Sequence, residues 1–292
     1  MDKLKMAGAM TIFGTIGLFI KYIGLPSSVI SLARGFIGTI FIFLFVKIKG
    51  VKISKESIKA NGAKLIISGI FIGFNWILLF ESYRYTTVTT ATLCYYLAPV
   101  FVLIVSPFVL KEKMTPIKAI CILIAFGGMI LVSGVLEGSG IGSNDGLGIA
   151  LGCGAAVLYA IVILINRFIK NISAYDKTMI QLLSAAVIMI PYILITEDLG
   201  QIALEPMGLG LLMLVGIVHT GLAYTLYFGS MDGLKTQTVA LFSYLDPIVA
   251  IIVSALILQE KVSILTAIGA IMVLGSTFIS EFSIYFRARK DS

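Results

Sequence analysis

Apolar residues in this chain run in long blocks that no charge interrupts. Val100 to Leu110 holds no charged side chain, and neither does Ile120 to Leu136. A bilayer core about 30 Å thick asks for ~20 such residues in each crossing helix. A soluble domain of 292 residues that is 59% hydrophobic and 13% charged would lack the polar surface to cover its core. The blocks predict an all-α membrane protein with spans at 6–23, 28–47, 63–82, 87–110, 116–136, 147–166, 178–196, 207–229, 236–258 and 263–285. The connections between them are short, so no soluble domain is expected. The first block runs straight into the second, which makes it helix 1 rather than a cleaved leader.

The net charge of +7 resides in those connections and not in an aromatic-interleaved patch, so nucleic acid is not an expected partner. With the N-terminus inside, inner segments hold 18 of the 22 basic residues, including six lysines between Lys47 and Lys64. Outer segments hold three, Lys21, Arg84 and Lys261, and Arg34 falls within helix 2. Cytoplasmic loops collect Lys and Arg. The split predicts both termini inside and an even number of helices in a bacterial cytoplasmic membrane. Cys94, Cys121 and Cys153 lie in apolar blocks without ligand spacing, which leaves no metal site or disulfide framework.

The chain also repeats itself. Displaced by 148 residues, 95–115 (YYLAPVFVLIVSPFVLKEKMT) aligns with 243–263 (SYLDPIVAIIVSALILQEKVS), with nine of 21 positions identical. Apolar bias accounts for aliphatic matches, but not for Tyr96/Tyr244, Pro99/Pro247 and Glu112/Glu260 falling together. The same displacement pairs Gly73 with Gly221, Trp76 with Tyr224 and Phe80 with Phe228. Five spans per unit is an odd number, so the second copy enters the bilayer from the opposite side. The expected domains are 1–142 and 143–292, two inverted five-helix repeats about a pseudo-two-fold axis in the membrane plane. That architecture suits a carrier whose central site faces each side in turn.

These segments resemble the ten-helix, EamA-type branch of the drug/metabolite transporter superfamily. The matching features are YLAP…LKEK from Tyr96 to Lys113, YLDP…LQEK from Tyr244 to Lys261, Arg34 in helix 2, and SYRYTT from Ser82 to Thr87. The resemblance spans essentially the whole chain. It implies two inverted halves around a central cavity, and transport of amino acids, other metabolites or toxic compounds, often outward. It fixes neither substrate nor direction. The second motif carries Asp246 where the first has Ala98, so a site built there is asymmetric.

Pro99 and Pro247 each remove a mid-helix hydrogen bond and free the carbonyls of Tyr95 and Ser243. They are packing kinks, or hinges that form part of the site. Tyr96 and Tyr244, one turn earlier, are expected to approach each other near the centre. Trp76, Asn75, Tyr224 and Tyr227 on helices 3 and 8 are candidates to bind substrate beside them, or to pack. Tyr22, Tyr83 and Tyr285 suit the membrane interface.

Charges within spans are costly and mark function by default. Asp246 is the deepest and is a candidate to couple proton movement or to bind a cationic substrate group, against a structural acid that bridges helices. His219 offers a group that titrates near neutrality, against a histidine packed on a hydroxyl. Arg34 is a third coupling candidate, placed near the outer side where it can snorkel. Glu81, Glu112 and Glu260 read as interfacial structure. Gly69–Gly73 and Gly148–Gly152 are small-xxx-small pairs that allow close helix approach.

GSGIG at 138–142 lies in an outer loop and is no dinucleotide fingerprint, and no GxxxxGK[ST] occurs to bind ATP. No cofactor is expected. The partners are a small-molecule substrate and the bilayer, and the chain is expected as a monomer or weak homodimer. The reading is a non-ATP secondary transporter of small metabolites such as amino acids or related amines. It works by alternating access, by exchange or coupled to protons, and more in export than import. The alternatives are an integral-membrane enzyme acting on lipid-like substrates, for which neither a nucleophile constellation nor paired acids are present, and an importer of a quaternary amine.

Overall fold

The computed structural model describes residues 1–133, 136, 143–202, 205–231, 233–234 and 236–288. The GSGIG run, the expected boundary at 142, and Lys235, Arg289 and Lys290 of the charge count lie outside these. Ten helices account for nearly all of the described residues, and no strand occurs among them. They are α1 (Asp2–Tyr22), α2 (Ser27–Ile48), α3 (Lys55–Tyr85), α4 (Val88–Val109), α5 (Pro116–Val132), α6 (Ser143–Arg167), α7 (Ala174–Thr196), α8 (Pro206–Met231), α9 (Thr236–Ser243 continued as Leu245–Leu256) and α10 (Ile264–Ala288). Seven of them, α1–α4 and α6–α8, are long and apolar enough to cross a bilayer, and the apolar stretches of the other three are 10–17 residues long.

Local chemistry sets the helix ends. The hydroxyls of Ser54, Thr87, Thr115 and Ser173 accept from the first-turn N–H groups of α3, α4, α5 and α7. Pro116 and Pro206 open α5 and α8, where a missing N–H costs nothing. The ends of α4 and α9 repeat each other at the 148-residue displacement. Lys111 and Gln259 adopt φ 57° and 54°, and the next N–H, of Glu112 or Glu260, turns back to the carbonyl of Ser106 or Ser254 at 3.4 and 3.1 Å. Both sites form the same left-handed helix cap.

Helix packing shows the same correspondence. α3 packs on α6 and α7, α8 on α1 and α2, α4 on α6 and α9, α1 on α9, and α5 on α10. Adding five to each number, with α10 followed by α1, maps this set onto itself. One apolar core forms around Ile30, Phe80, Leu182 and Val215, and another around Leu93, Leu97, Ala125 and Val273.

Missing side chains make these crossings close. A Cβ on Gly69 would lie 2.5 Å from the Gln181 carbonyl, and one on Gly152 would lie 2.8 Å from Cys94 Cβ. Gly73 and Gly148 meet α7 and Thr86 in the same way, so both predicted glycine pairs sit at helix contacts. Gly128 and Gly269 face each other's carbonyls where α5 crosses α10.

Candidate functional site

Three helices lose regularity at the same level of the bundle. α1 breaks its ladder at Thr15, α4 at Tyr96–Leu97 and α9 at Tyr244. The prolines therefore do not kink continuous helices, as expected for mid-helix positions. Pro99 and Pro247 stand in the first turn of a fresh segment, Ala98–Val109 or Leu245–Leu256, where their missing N–H is tolerated. α8 widens over Val215–Leu222 into a turn in which hydrogen bonds skip five residues, a feature frequent at functional sites.

At the breaks of α4 and α9, the Tyr96 hydroxyl donates to Asp246 Oδ2 at 2.7 Å and lies 3.5 Å from the Ser243 carbonyl. That carbonyl is the one Pro247 leaves without its i+4 donor. The backbone of α1 closes on the same turn, since a Cβ on Gly14 would lie 2.5 Å from the Asp246 carbonyl. No basic side chain pairs with Asp246 among the described residues.

Arg34 does not snorkel. It is 4% exposed, its guanidinium carbon lies 4.0 Å from the ring centre of Trp76 and 5.2 Å from that of Phe80, and its Nε donates to Thr220 Oγ1 at 3.1 Å. Thr220 is presented by the widened turn of α8. Neither terminal nitrogen of Arg34 has a hydrogen-bond partner among the described residues, and no carboxylate lies within 4.0 Å. Stacking on a desolvated ring offsets part of the cost of burying this cation, by about 2 kcal/mol.

Several tyrosines stand near these groups. Tyr83, Tyr95 and Tyr224 stand within electrostatic range of both Arg34 and Asp246. Tyr95 stacks on Tyr159 at 5.2 Å, and Tyr224 stacks on Phe228 at 5.8 Å with Phe13 beside it at 5.3 Å. Tyr227 adjoins Phe13 and Phe228.

The sequence candidates thus divide. Tyr96, Asp246, Arg34, Trp76, Tyr224 and Tyr227 belong to this region. Tyr244 does not meet Tyr96, because its ring packs on Phe278 of α10 at 5.4 Å. Asn75 is buried and donates to the Ala155 carbonyl at 2.5 Å, a tie between α3 and α6. His219 shares a hydrogen bond with Thr15 Oγ1 at 3.0 Å and lies edge-on to Phe19, the packed-on-hydroxyl arrangement. Tyr83 is 4% exposed and sits inside the bundle, not at the interface. Tyr95, Tyr159, Phe13 and Thr220 were not singled out from sequence, and only the aromatic density of YYLAP hinted at the first. A pocket of about 300 Å³ lies apart from these groups, at the bundle end near Leu25, Arg84 and Glu197.

That end of the bundle is tied across helices. Glu260 accepts from the Val88 N–H at 2.8 Å, from Ser254 and from Lys21, and Thr89 donates to Ser254 at 2.9 Å. Glu112, the counterpart of Glu260, pairs with Lys118 of its own hairpin at 3.0 Å. No group of three or more His, Cys, Asp or Glu among the described residues is arranged to hold a metal.

Comparison with known proteins agrees with this architecture. The model of the EamA-like transporter family matches residues 4–134 and again 146–282. The uncharacterized transporter YxxF of Bacillus subtilis (strain 168) is 32% identical over 272 residues, which is 92% of this chain and 86% of its own. An uncharacterized transporter of Archaeoglobus fulgidus is 25% identical over 283 residues, covering 94% and 97% of the two chains. A crystal structure at 18% identity superposes with a TM-score of 0.66 over 100% of this chain and 99% of that one, a likeness of fold alone. By the double family match across its length and the ten-helix fold, this chain is a multi-pass membrane protein belonging to the EamA-like transporter family.

Proposed function

We propose that the protein is a secondary transporter that carries small metabolites, such as amino acids or related amines, across the cytoplasmic membrane by alternating access, more in export than import. The observation that carries this reading is the Tyr96–Asp246 bond, which joins the broken helices α4 and α9 midway along the bundle. A carboxylate there must pair, take up a proton or bind a cationic group. Interrupted helices at a charge within a span are how carriers place a site near the bilayer midplane.

Alternating access needs two similar halves. The helix packing that maps onto itself at a five-helix displacement supports two inverted repeats, as do the matched caps at Lys111 and Gln259. With the termini inside, the end tied by Glu260, Lys21 and Val88 is the outer one. Among the described residues the inner counterpart, Glu112, is tied only to Lys118 of its own hairpin, which supports a conformer closed outside.

Counterflow tests the reading. Proteoliposomes preloaded with an unlabelled amino acid are expected to accumulate the labelled form above its external concentration. Absence of accumulation for all twenty amino acids and their decarboxylated amines contradicts it.

A further inference from the structure

Basic side chains gather where four neighbouring helices end on the inner side. α2 packs on α7, and α3 packs on α6 and α7, so the α2–α3 and α6–α7 connections lie together. The stretch across the first carries six lysines from Lys47 to Lys64, and the second carries Arg167, Lys170 and Lys177. Two direct ties join them. Asn61 donates to the Lys170 carbonyl at 3.0 Å, and Lys64 Nζ donates to the Phe168 carbonyl at 3.0 Å. Only Glu56 and Asp176 stand among these nine cations. The Asp176 carboxylate is buried and accepts from the Ser54 N–H at 3.2 Å. All nine except Lys177 are exposed, and none forms an ion pair among the described residues. Orientation in the bilayer asks only that Lys and Arg lie on the inner side. It does not ask for nine of the 18 inner basic residues on one flank, without acids to pair them.

We infer that this flank is a docking surface for the headgroups of anionic phospholipids. Its neighbours place it at the bilayer boundary and not in open water. The Lys47 ammonium lies 4.8 Å from the ring centre of Phe43, an exposed side chain on the spanning helix α2. Ile48, 83% exposed, and the exposed Val51 and Phe168 stand among the cations. Apolar side chains between ammonium groups suit the depth at which acyl chains meet phosphates. There a lysine stem lies along apolar surface while its head reaches the polar layer. The array is also held in shape. Gly50 takes φ 66°, and the Val51 N–H returns to the Val46 carbonyl at 3.0 Å, which closes α2 with Lys49 and Lys52 on either side of the turn. Lys55 and Lys59 stand one helical turn apart on α3. Each lysine near the membrane surface strengthens attraction to an anionic lipid by about fivefold. A phosphatidylcholine headgroup carries its own cation and gains little from the same array.

The surface is independent of what the protein carries, so its test needs no transport substrate. The purified full-length chain in neutral detergent is melted with rising phosphatidylglycerol, with phosphatidylcholine of the same acyl chains, or with inorganic phosphate. A ligand that binds only the folded state raises its melting temperature. Phosphatidylglycerol is expected to do so with a half-saturating concentration at least tenfold below that of phosphatidylcholine, and inorganic phosphate is expected to have no effect at those concentrations. The double variant Lys55→Gln/Lys59→Gln leaves every tie named above in place. It is expected to raise the half-saturating phosphatidylglycerol concentration more than tenfold at an unchanged lipid-free melting temperature. Lys55→Arg/Lys59→Arg keeps both charges and is expected to stay within threefold of wild type. Lys111→Gln/Lys113→Gln removes two exposed lysines from the other inner hairpin and is likewise expected to stay within threefold. Equal stabilisation by the two lipids, or by inorganic phosphate, overturns the inference. So does an unshifted Lys55→Gln/Lys59→Gln, or an equal shift in the Lys111→Gln/Lys113→Gln variant, which would show attraction to net charge and not to this flank.

Discussion

Glu260 and Glu112 occupy equivalent positions 148 residues apart, after the same left-handed cap, yet Glu260 reaches beyond its own hairpin, accepting from the Val88 N–H at 2.8 Å. It also receives Lys21 and Ser254, whereas Glu112 holds Lys118 within its own hairpin at 3.0 Å. Glu260→Ala strands three donors, which costs about 1–3 kcal/mol. Glu112→Ala strands a single donor, that of the buried Lys118, whose carboxylate partner is itself 39% exposed. Melting curves of the two variants are therefore expected to show the larger drop for Glu260→Ala. Equal drops would mean that the cross-helix tie contributes nothing to the resting conformer.

Tyr96→Phe removes the one hydroxyl that bonds the Asp246 carboxylate among the described residues and preserves ring packing. A hydrogen bond to a charged group is worth about 1.5–3 kcal/mol, so the expected effect on substrate affinity or flux is roughly tenfold or more. Tyr244→Phe, on the equivalent tyrosine that packs on Phe278, is expected to fall by less than threefold. Comparable losses in the two would remove the asymmetry on which the site is built.

His219 is bonded to Thr15 and packed against Phe19. His219→Gln retains a side chain able to reach the same hydroxyl. Flux is expected to stay within about threefold of wild type, with the same response to an imposed pH gradient. Loss of the gradient response would move the proton-handling role from Asp246 to His219.

Close helix crossings supply a stability test away from the site. Gly128→Val drives a branched side chain into Gly269 and Met272, and Gly69→Val drives one into the Gln181 carbonyl and Ser184. Overpacking of this kind costs about 1–3 kcal/mol. Gly8→Ala and Gly275→Ala meet nothing within 4 Å and are expected to leave the melting temperature unchanged or slightly raised. The reverse order would show that these glycines do not set helix spacing.

Hydropathy located ten helices because long apolar blocks favour helix in a membrane, and seven of them are long and apolar enough to cross a bilayer. It gave their ends less well. α3 begins at Lys55, eight residues before its predicted start, because Lys55, Glu56 and Lys59 are good helix formers that simply lie beyond the apolar stretch. Asn61 then anchors that extension to the Lys170 carbonyl at 3.0 Å. Pro99 and Pro247 signalled irregularity correctly, but sequence could not say whether the irregularity was a kink or a break. Asp246 and Tyr96 were legible as candidates because the duplication singled out their motif. Arg34 was legible only as a charge in a span. That it turns inward onto Trp76 depends on which face of α2 meets α3, and helix orientation about its own axis is not written in an almost uniformly apolar sequence. The same ambiguity hid Tyr159 and misplaced Tyr83 and Tyr244.

Flux through Asp246→Asn in proteoliposomes tests the central claim most directly. Wild-type protein and the variant, reconstituted at equal density, are given a labelled amino acid that stabilises the wild type, with and without an imposed pH gradient. Wild-type flux is expected to change with the gradient, and the variant is expected to lose at least tenfold in flux and all response to the gradient. Wild-type rates with an undiminished gradient response in Asp246→Asn would contradict the account.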